Sequence, residues 1–299
     1  MTPVPGSASS KYVNLLLLVA LGTLWGASYL FIKVIVAEVP AFTLVAGRLS
    51  VAALTMWGIV RVLGLAMPRD ARMWGVFALL GLVGLAVPYS LITWGEQYIP
   101  SGLAALLQAT TPIFTVLLAQ LWTRDERITT AKATGVLVGF AGVALLMFPD
   151  LQSGVRASLP GQLAIVGSSV CYAWTAIYAR RWLQGQPPLA SATGQLTMGA
   201  AFMLPASLLF DRLSGLSPSL PAWASWAALT LLGTVLAYVI YYTLIARTSA
   251  TFTTMVTYII PINGVILGAL VLHESLSLTI LVSLALILVA ILLVRGRKL

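Results

Sequence analysis

Charge is what this sequence has least of: 8% of its 299 residues are Asp, Glu, Lys or Arg, while 60% are apolar. A soluble domain carries about 25% charged residues. So few charges cannot cover a water-facing surface for a chain of this length, so much of the surface faces lipid. One cysteine, Cys171, excludes an internal disulfide and any cysteine-based metal cluster. One histidine, His273, excludes a His-x-x-x-His ligand pair. No Gly-rich phosphate loop with its Lys is present, and no room exists for a soluble domain, which disfavours a nucleotide-driven pump. No Asp or Glu falls near the middle of any apolar run. A membrane enzyme would therefore lack a catalytic set at depth, and a channel would lack a filter or charge ring. No cofactor or metal is expected.

What charge there is has a sign. Lys and Arg number 17 against 8 acids, a net +9. In a soluble chain that excess would point to nucleic acid. Here the basic residues lie between apolar segments, so the expected surroundings are a lipid bilayer and no nucleic acid.

A membrane helix needs about 20 mostly apolar residues. Scanning between Pro, Gly and charge punctuation predicts ten: 12–36, 40–63, 72–95, 101–122, 130–148, 159–183, 189–210, 222–246, 250–272 and 277–295. The polar stretch 1–11 reads as a disordered cytoplasmic N-terminus and 296–299 as a basic cytoplasmic tail. The first apolar run is longer than a signal-peptide core of about 7–15 residues, so it reads as a retained helix. With ten crossings, 13 Lys and Arg fall on the side of the termini and three (Lys33, Arg156, Arg212) on the other, Arg48 lying within the second span. The positive-inside rule then places both termini in the cytoplasm.

The chain repeats itself. "QATTPIFTVLLAQLWTRDERIT" (108–129) has Pro112 early in an apolar run and Glu126 after it; "YIIPINGVILGALVLHESLS" (258–277) has Pro261 and Glu274. Trp25 and Tyr29 match Trp174 and Tyr178 at an offset of 149 residues, and Tyr89 matches Tyr241 at 152. Two five-helix units follow, 12–148 and 159–295. Five is odd, so the second is inverted, as in many secondary transporters whose substrate site lies between the halves. The fold class is an all-α polytopic membrane protein of ten transmembrane helices, two inverted five-helix repeats around a central cavity.

Trp25 and Tyr29 share a helix face, as do Trp174 and Tyr178. They lie nearer mid-span than an interfacial belt. Tyr238, Tyr241 and Tyr242 share a face of the eighth span, and Tyr89 sits in the third. These aromatics either line a cavity or pack. Gln108, Thr111 and Pro112, with Tyr258, Pro261 and Asn263, either meet a polar substrate or satisfy the carbonyl that each proline frees. Arg48 reads as binding a carboxylate or, in preference, as bonded to loop carbonyls, Lys33 as snorkelling, and Glu274 and Glu126 as local caps or pairs. Gly135, Gly139 and Gly142, and Gly264 and Gly268, mark close contacts, within one chain or in a dimer. A monomer or weak homodimer is expected.

With "LWGASYLFIK" in the first span, "AGRLSVAAL" around Arg48 and the duplicated proline-to-glutamate pattern, the chain resembles the drug/metabolite transporter superfamily in its EamA-type ten-helix branch. Within it the likeness runs to aromatic amino-acid exporters of the YddG type. The resemblance implies a bacterial inner-membrane carrier with a cavity lined by spans 1, 3, 4, 6, 8 and 9, and with spans 5 and 10 peripheral. The second copy departs from the pattern: Thr175 follows Trp174 where Gly is usual, and Gln195 stands for the arginine.

The function expected is alternating-access export of amino acids, aromatic or apolar, and related metabolites. Another small neutral metabolite or drug is the alternative. With no central acid the reading leans to facilitated diffusion, with a proton route through Glu96 or the tyrosines left open.

Overall fold

The computed structural model describes residues 8–122, 129–153, 158–248 and 250–295. Arg124, Glu126, Arg127, Arg156 and both terminal segments as drawn from the sequence, apart from residues 8–11, lie outside them. The regular structure of the described residues consists entirely of helices, joined by short turns. In the first half these are α1 (Ala8–Val36), α2 (Ala41–Val62), α3 (Ala71–Gly81), α4 (Val87–Gly95), α5 (Ser101–Gln108), α6 (Thr111–Trp122) and α7 (Thr130–Ser153). In the second they are α8 (Leu159–Trp182), α9 (Pro188–Phe210), α10 (Leu220–Thr230), α11 (Ala237–Arg247), α12 (Ala250–Thr253), α13 (Val256–Val271) and α14 (Leu278–Arg295).

Seven segments among the described residues are long and apolar enough to cross a membrane: Lys11–Val36, Ala41–Val62, Ala71–Gly95, Ser101–Gln120, Thr130–Phe148, Pro188–Phe210 and Leu220–Arg247. Val256–Val271 and Leu278–Val294 are apolar but shorter. α8 is 24 residues long but less apolar, with Gln162, Ser168, Ser169 and Thr175 along it. Side chains such as Leu54, Leu137, Leu208, Leu209 and Leu270 stand exposed on the outside of the bundle, as lipid-facing helices require. The first helix begins at Ala8, four residues before the sequence reading, so part of the stretch 1–11 is helical rather than disordered.

Two segments depart from α-geometry. α3 runs into α4 through a π-helical turn, Leu82–Ala86, and α10 into α11 through another, Leu231–Leu236. Their first residues are 149 apart, the spacing of the aromatic pairs. A π turn inserts an extra residue and leaves a carbonyl short of its partner.

Packing is mostly between halves. α2 lies on α9, α7 on α14, α1 on α13, and α8 on α4 and α6. Small residues permit the closest approaches. A side chain at Gly26 would strike Asn263 and the backbone of α13, and one at Gly264 would strike Ala105 of α5. Gly135, Gly139 and Gly142 face Ala290, Ile113 and Ile287. Both glycine faces left open by the sequence are thus internal contacts. α7 and α14 pack chiefly on each other, at the edge of the bundle.

The turns after α1, α4, α9 and α13 gather at one end, which carries Glu38, Glu96, Asp211 and Glu274 and is called here the acid end. Three of these carboxylates reach across the halves to a helix N-terminus. Glu274 accepts from the backbone N–H of Ser101 (2.6 Å) and Gly102 (2.9 Å), the first residues of α5. Asp211 accepts from Thr43 N–H (2.6 Å) and its hydroxyl (2.7 Å) at the start of α2. Glu38 accepts from Ser219 N–H and Oγ–H, both 2.6 Å, just before α10. Free N–H groups and the helix dipole make each terminus a natural anion site, so charge complementarity joins the halves at this end.

Replacing Gly135 by Leu should force α7 from α14 and lower stability by about 1–3 kcal/mol. Thermal unfolding in detergent checks this; unchanged stability with an altered oligomeric state would assign that face to a dimer instead.

Candidate functional site

The centre of the bundle is organised around one buried cation. Arg48, on α2, is 5% exposed. Its guanidinium lies 4.0 Å from the ring centroid of Tyr89 on α4, and its Nε donates to Thr234 Oγ1 at 2.9 Å. Thr234 sits in the second π turn, where its hydroxyl donates in turn to the Leu229 carbonyl at 3.1 Å. The cation therefore links a first-half helix to the irregular turn of a second-half helix. A guanidinium over an aromatic face is attracted by the ring quadrupole, more strongly when desolvated. The sequence reading of Arg48 as bonded to loop carbonyls is corrected. Lys33 does that instead: its Nζ donates to the carbonyls of Glu96 (2.6 Å) and Ile99 (2.9 Å), in place of snorkelling to water. A four-carbon ammonium near the end of α1 reaches the turn after α4, whereas Arg48 starts two turns inside α2.

The aromatic residues form three groups rather than symmetric pairs. Tyr29, 7% exposed, and Tyr89 belong to the main core, against which Tyr238, Tyr242 and Tyr258 also pack. Trp25 turns toward a second cluster and meets Tyr241 at 5.6 Å, and Tyr241 meets Tyr242 edge-on at 5.2 Å. Tyr238 stacks on Tyr242 at 6.2 Å. On α8, Trp174, Tyr178 and Trp182 form a ladder with centroids 4.3 and 4.7 Å apart. Tyr172, which the sequence reading missed, shares electrostatic reach with Arg48, Tyr29 and Tyr89. It stands two residues from Trp174, so it points to nearly the opposite face of α8. Only a choice of the other face could have found it.

The prolines are not equivalent. Pro112 occupies the second position of α6, after a break at Ala109–Thr110. There its missing N–H costs little. The carbonyl it leaves free, that of Gln108, accepts from Thr111 Oγ1 at 2.8 Å and Ser169 Oγ at 3.4 Å. The Gln108 side chain donates to Thr111 Oγ1 and Ser169 Oγ, both at 3.0 Å, and accepts from Ser168 at 2.5 Å. Gln108 is 8% exposed. The polar residues near Pro112 thus mend the broken helix and tie it to α8. Pro261 stays inside α13, with a separate break at Thr254–Met255, where Thr257 Oγ1 donates to the Thr254 carbonyl at 2.8 Å. Asn263 donates to Thr23 Oγ1 of α1 at 3.3 Å. No group of three or more His, Cys, Asp or Glu positioned for a metal occurs among the described residues.

These features define a polytopic all-α membrane protein with helices broken near its centre. Comparison with known proteins sharpens this. The chain belongs to the EamA-like transporter family, whose model matches it twice, at residues 13–148 and 159–296. It is similar to the uncharacterized transporter YvbV of Bacillus subtilis (26% identical, covering 95% of this chain and 92% of that one). It is similar to the uncharacterized inner membrane transporter YedA of Escherichia coli K12 (29%; 93% and 89%). A probable terminal-alkyne amino-acid exporter of Streptantibioticus cattleyicolor is 30% identical over 79% of this chain and 78% of its own. A solved crystal structure shares the fold with a TM-score of 0.67 at 19% identity, covering 98% of this chain and 99% of that one. Family and relatives point to transport rather than catalysis.

The link between Arg48 and Thr234 is open to a double-mutant cycle. Arg48→Lys and Thr234→Val, singly and together, should show a coupling of about 0.5–3 kcal/mol in unfolding free energy. Strict additivity would mean that the guanidinium acts through Tyr89 alone.

Proposed function

We propose that the chain is a secondary transporter that exports amino acids, aromatic or apolar, and related metabolites by alternating access. The observation that carries this reading is the pairing of two family-matched halves around a centre of broken helices, π turns and tyrosines gathered near one buried arginine. Irregular backbone at membrane depth survives only inside protein or along a wet path, and discontinuous helices are where carriers hold substrate.

Ten crossings follow if α3 with α4, α5 with α6, α10 with α11 and α12 with α13 each count once. The packing pairs then interconvert under exchange of the halves: α2 with α9 and α7 with α14 join equivalent helices, while α1 with α13 and α8 with α6 are counterparts. That symmetry supports an inverted repeat. The basic residues at the end opposite the acid end support cytoplasmic termini in a bacterial inner membrane. The acid end is then external, and the chain is closed on that side.

Of the residues named from the sequence, Tyr29, Tyr89, Tyr238, Tyr242 and Tyr258 form the proposed cavity wall, with Trp25 and Tyr241 toward the cytoplasm. Trp174 and Tyr178 form a flanking aromatic ladder. Gln108, Thr111 and Pro112 shape the wall. A neutral or zwitterionic substrate with an aromatic or aliphatic body suits this surface, because ring faces accept apolar bodies while hydroxyls and Arg48 answer a polar head. The amino-acid exporter among the relatives favours this over another neutral metabolite or drug.

Purified protein in liposomes should show counterflow of radiolabelled aromatic or branched-chain amino acids above empty vesicles. Trp25→Ala should alter the preference between Phe and Leu several-fold at normal expression, and Trp174→Ala less. Absence of counterflow across the amino acids would sink the substrate assignment.

A further inference from the structure

Glu96 is the one carboxylate at the acid end that caps nothing there. It closes the last turn of α4 and is 0% exposed. Neither of its carboxylate oxygens accepts a hydrogen bond, and the buried hydroxyls of Thr93, one turn earlier, and Ser101 are also unbonded. Lys33 passes it over: its ammonium bonds the Glu96 carbonyl rather than the carboxylate. The glycines around it explain the burial. Gly95 and Gly161 bring α4 and α8 into backbone contact, with Ile165 and Ile99 sealing the sides. Glu274, bonded to Ser101 and Gly102 five and six residues on, closes the turn above.

An ionised carboxylate without hydrogen bonds is among the most costly groups to bury, and such a group takes up a proton instead. We propose that Glu96 is a proton-binding site of the transport cycle: its carboxyl takes a proton as the acid end closes and returns it to water as that end opens. On closing, an O–H bond forms with a proton from solution at that end; on opening, the bond breaks and the proton leaves. Its cyclic part rests on the transport reading above, whereas the site itself does not.

The charged and titratable groups acting on Glu96 are Lys33 and Tyr29 of α1, Arg48 of α2 and Glu274 of the turn after α13. α8 meets the turn through Gly161 and Ile165. Burial pushes Glu96 well above the ordinary carboxylate range, Lys33 and Arg48 oppose that, and Glu274 adds to it. A raised value in the closed state means that closure is favoured as pH falls. Between the ordinary value and the raised one, each pH unit shifts the equilibrium by up to tenfold. Glu38 has the opposite sign. Its bonds to Ser219 lower it, so its contribution to closure is complete above the ordinary range and fades only as pH falls through the lowered value. The two windows do not overlap, and His273 also stands at this end beside Glu274, so the acid-favoured closure that reports Glu96 is the part lost in Glu96→Gln.

Infrared titration of the full chain in lipid tests the site without any substrate. A neutral carboxylic-acid band that persists at pH 7 and vanishes in Glu96→Gln is the expected result. Its absence at pH 7, or its survival in Glu96→Gln, overturns the assignment. Glu96→Asp guards against a folding failure and should move the band without removing it. In pH-clamped vesicles, wild-type counterflow should depend on acid-end pH above about 4.5, and Glu96→Gln should abolish that dependence. A band without flux of any amino acid would refute the transport reading and leave the site standing. Flux that ignores pH in the wild type would refute the role in the cycle.

Discussion

Lipid offers no hydrogen bonds, so each backbone group freed by an irregular turn must find a partner inside the protein. Most of the polar chemistry in this bundle answers that demand. Thr111 and Ser169 cover the carbonyl left by Pro112. Thr234 covers the Leu229 carbonyl at a π turn and holds Arg48. Lys33 covers two carbonyls of the turn after α4. Each repair is made by a side chain that also joins one element to another, so breaks in single helices become bonds between helices.

The same demand operates at the helix starts. N-terminal N–H groups at the acid end receive carboxylates from the opposite half: Glu38 from the first, Asp211 and Glu274 from the second. Such caps are short and directional, and they can be exchanged for water at modest cost. A contact surface made of caps and glycine-to-helix packing can therefore come apart as a unit. A continuous aliphatic core would resist that. Glu96 lies beneath these caps, fully buried and sharing none of their bonds, and the proposed link between its protonation and closure rests on that burial.

Much of the helical layout was legible in the sequence. The span from Ala41 to Val62 and that from Pro188 to Phe210 fall within a residue or so of the apolar runs, because hydrocarbon thickness fixes run length. The π turns were not legible, since an extra residue in a turn leaves hydropathy unchanged. The equivalence drawn between Pro112 and Pro261 failed in detail: one begins a new helix and the other sits inside one, because local repair by Thr111 and Ser169 lets the chain break early in the first half. The candidate aromatics were found by spacing, but spacing gives a face and not a partner. Tyr29 went to the Arg48 centre, Trp25 to a separate cluster, and Tyr178 between two tryptophans. Lys33 took the loop carbonyls expected of Arg48 because it stands near the end of α1, whereas Arg48 starts two turns inside α2 and meets Tyr89 and Thr234.

The central claim is that the two ends of the bundle open in turn around the tyrosine-lined centre. Cys171 is the chain's one cysteine, so a Cys171→Ser background permits single reporters. One would stand at Tyr98 near the acid end and one at Arg247 near the basic end. Labelling by a membrane-impermeant maleimide, with and without a saturating aromatic amino acid, measures both ends. Reciprocal change, one end gaining reactivity as the other loses it, is the expected result. Reactivity at both ends that ignores substrate, or rises and falls together, would contradict alternating access.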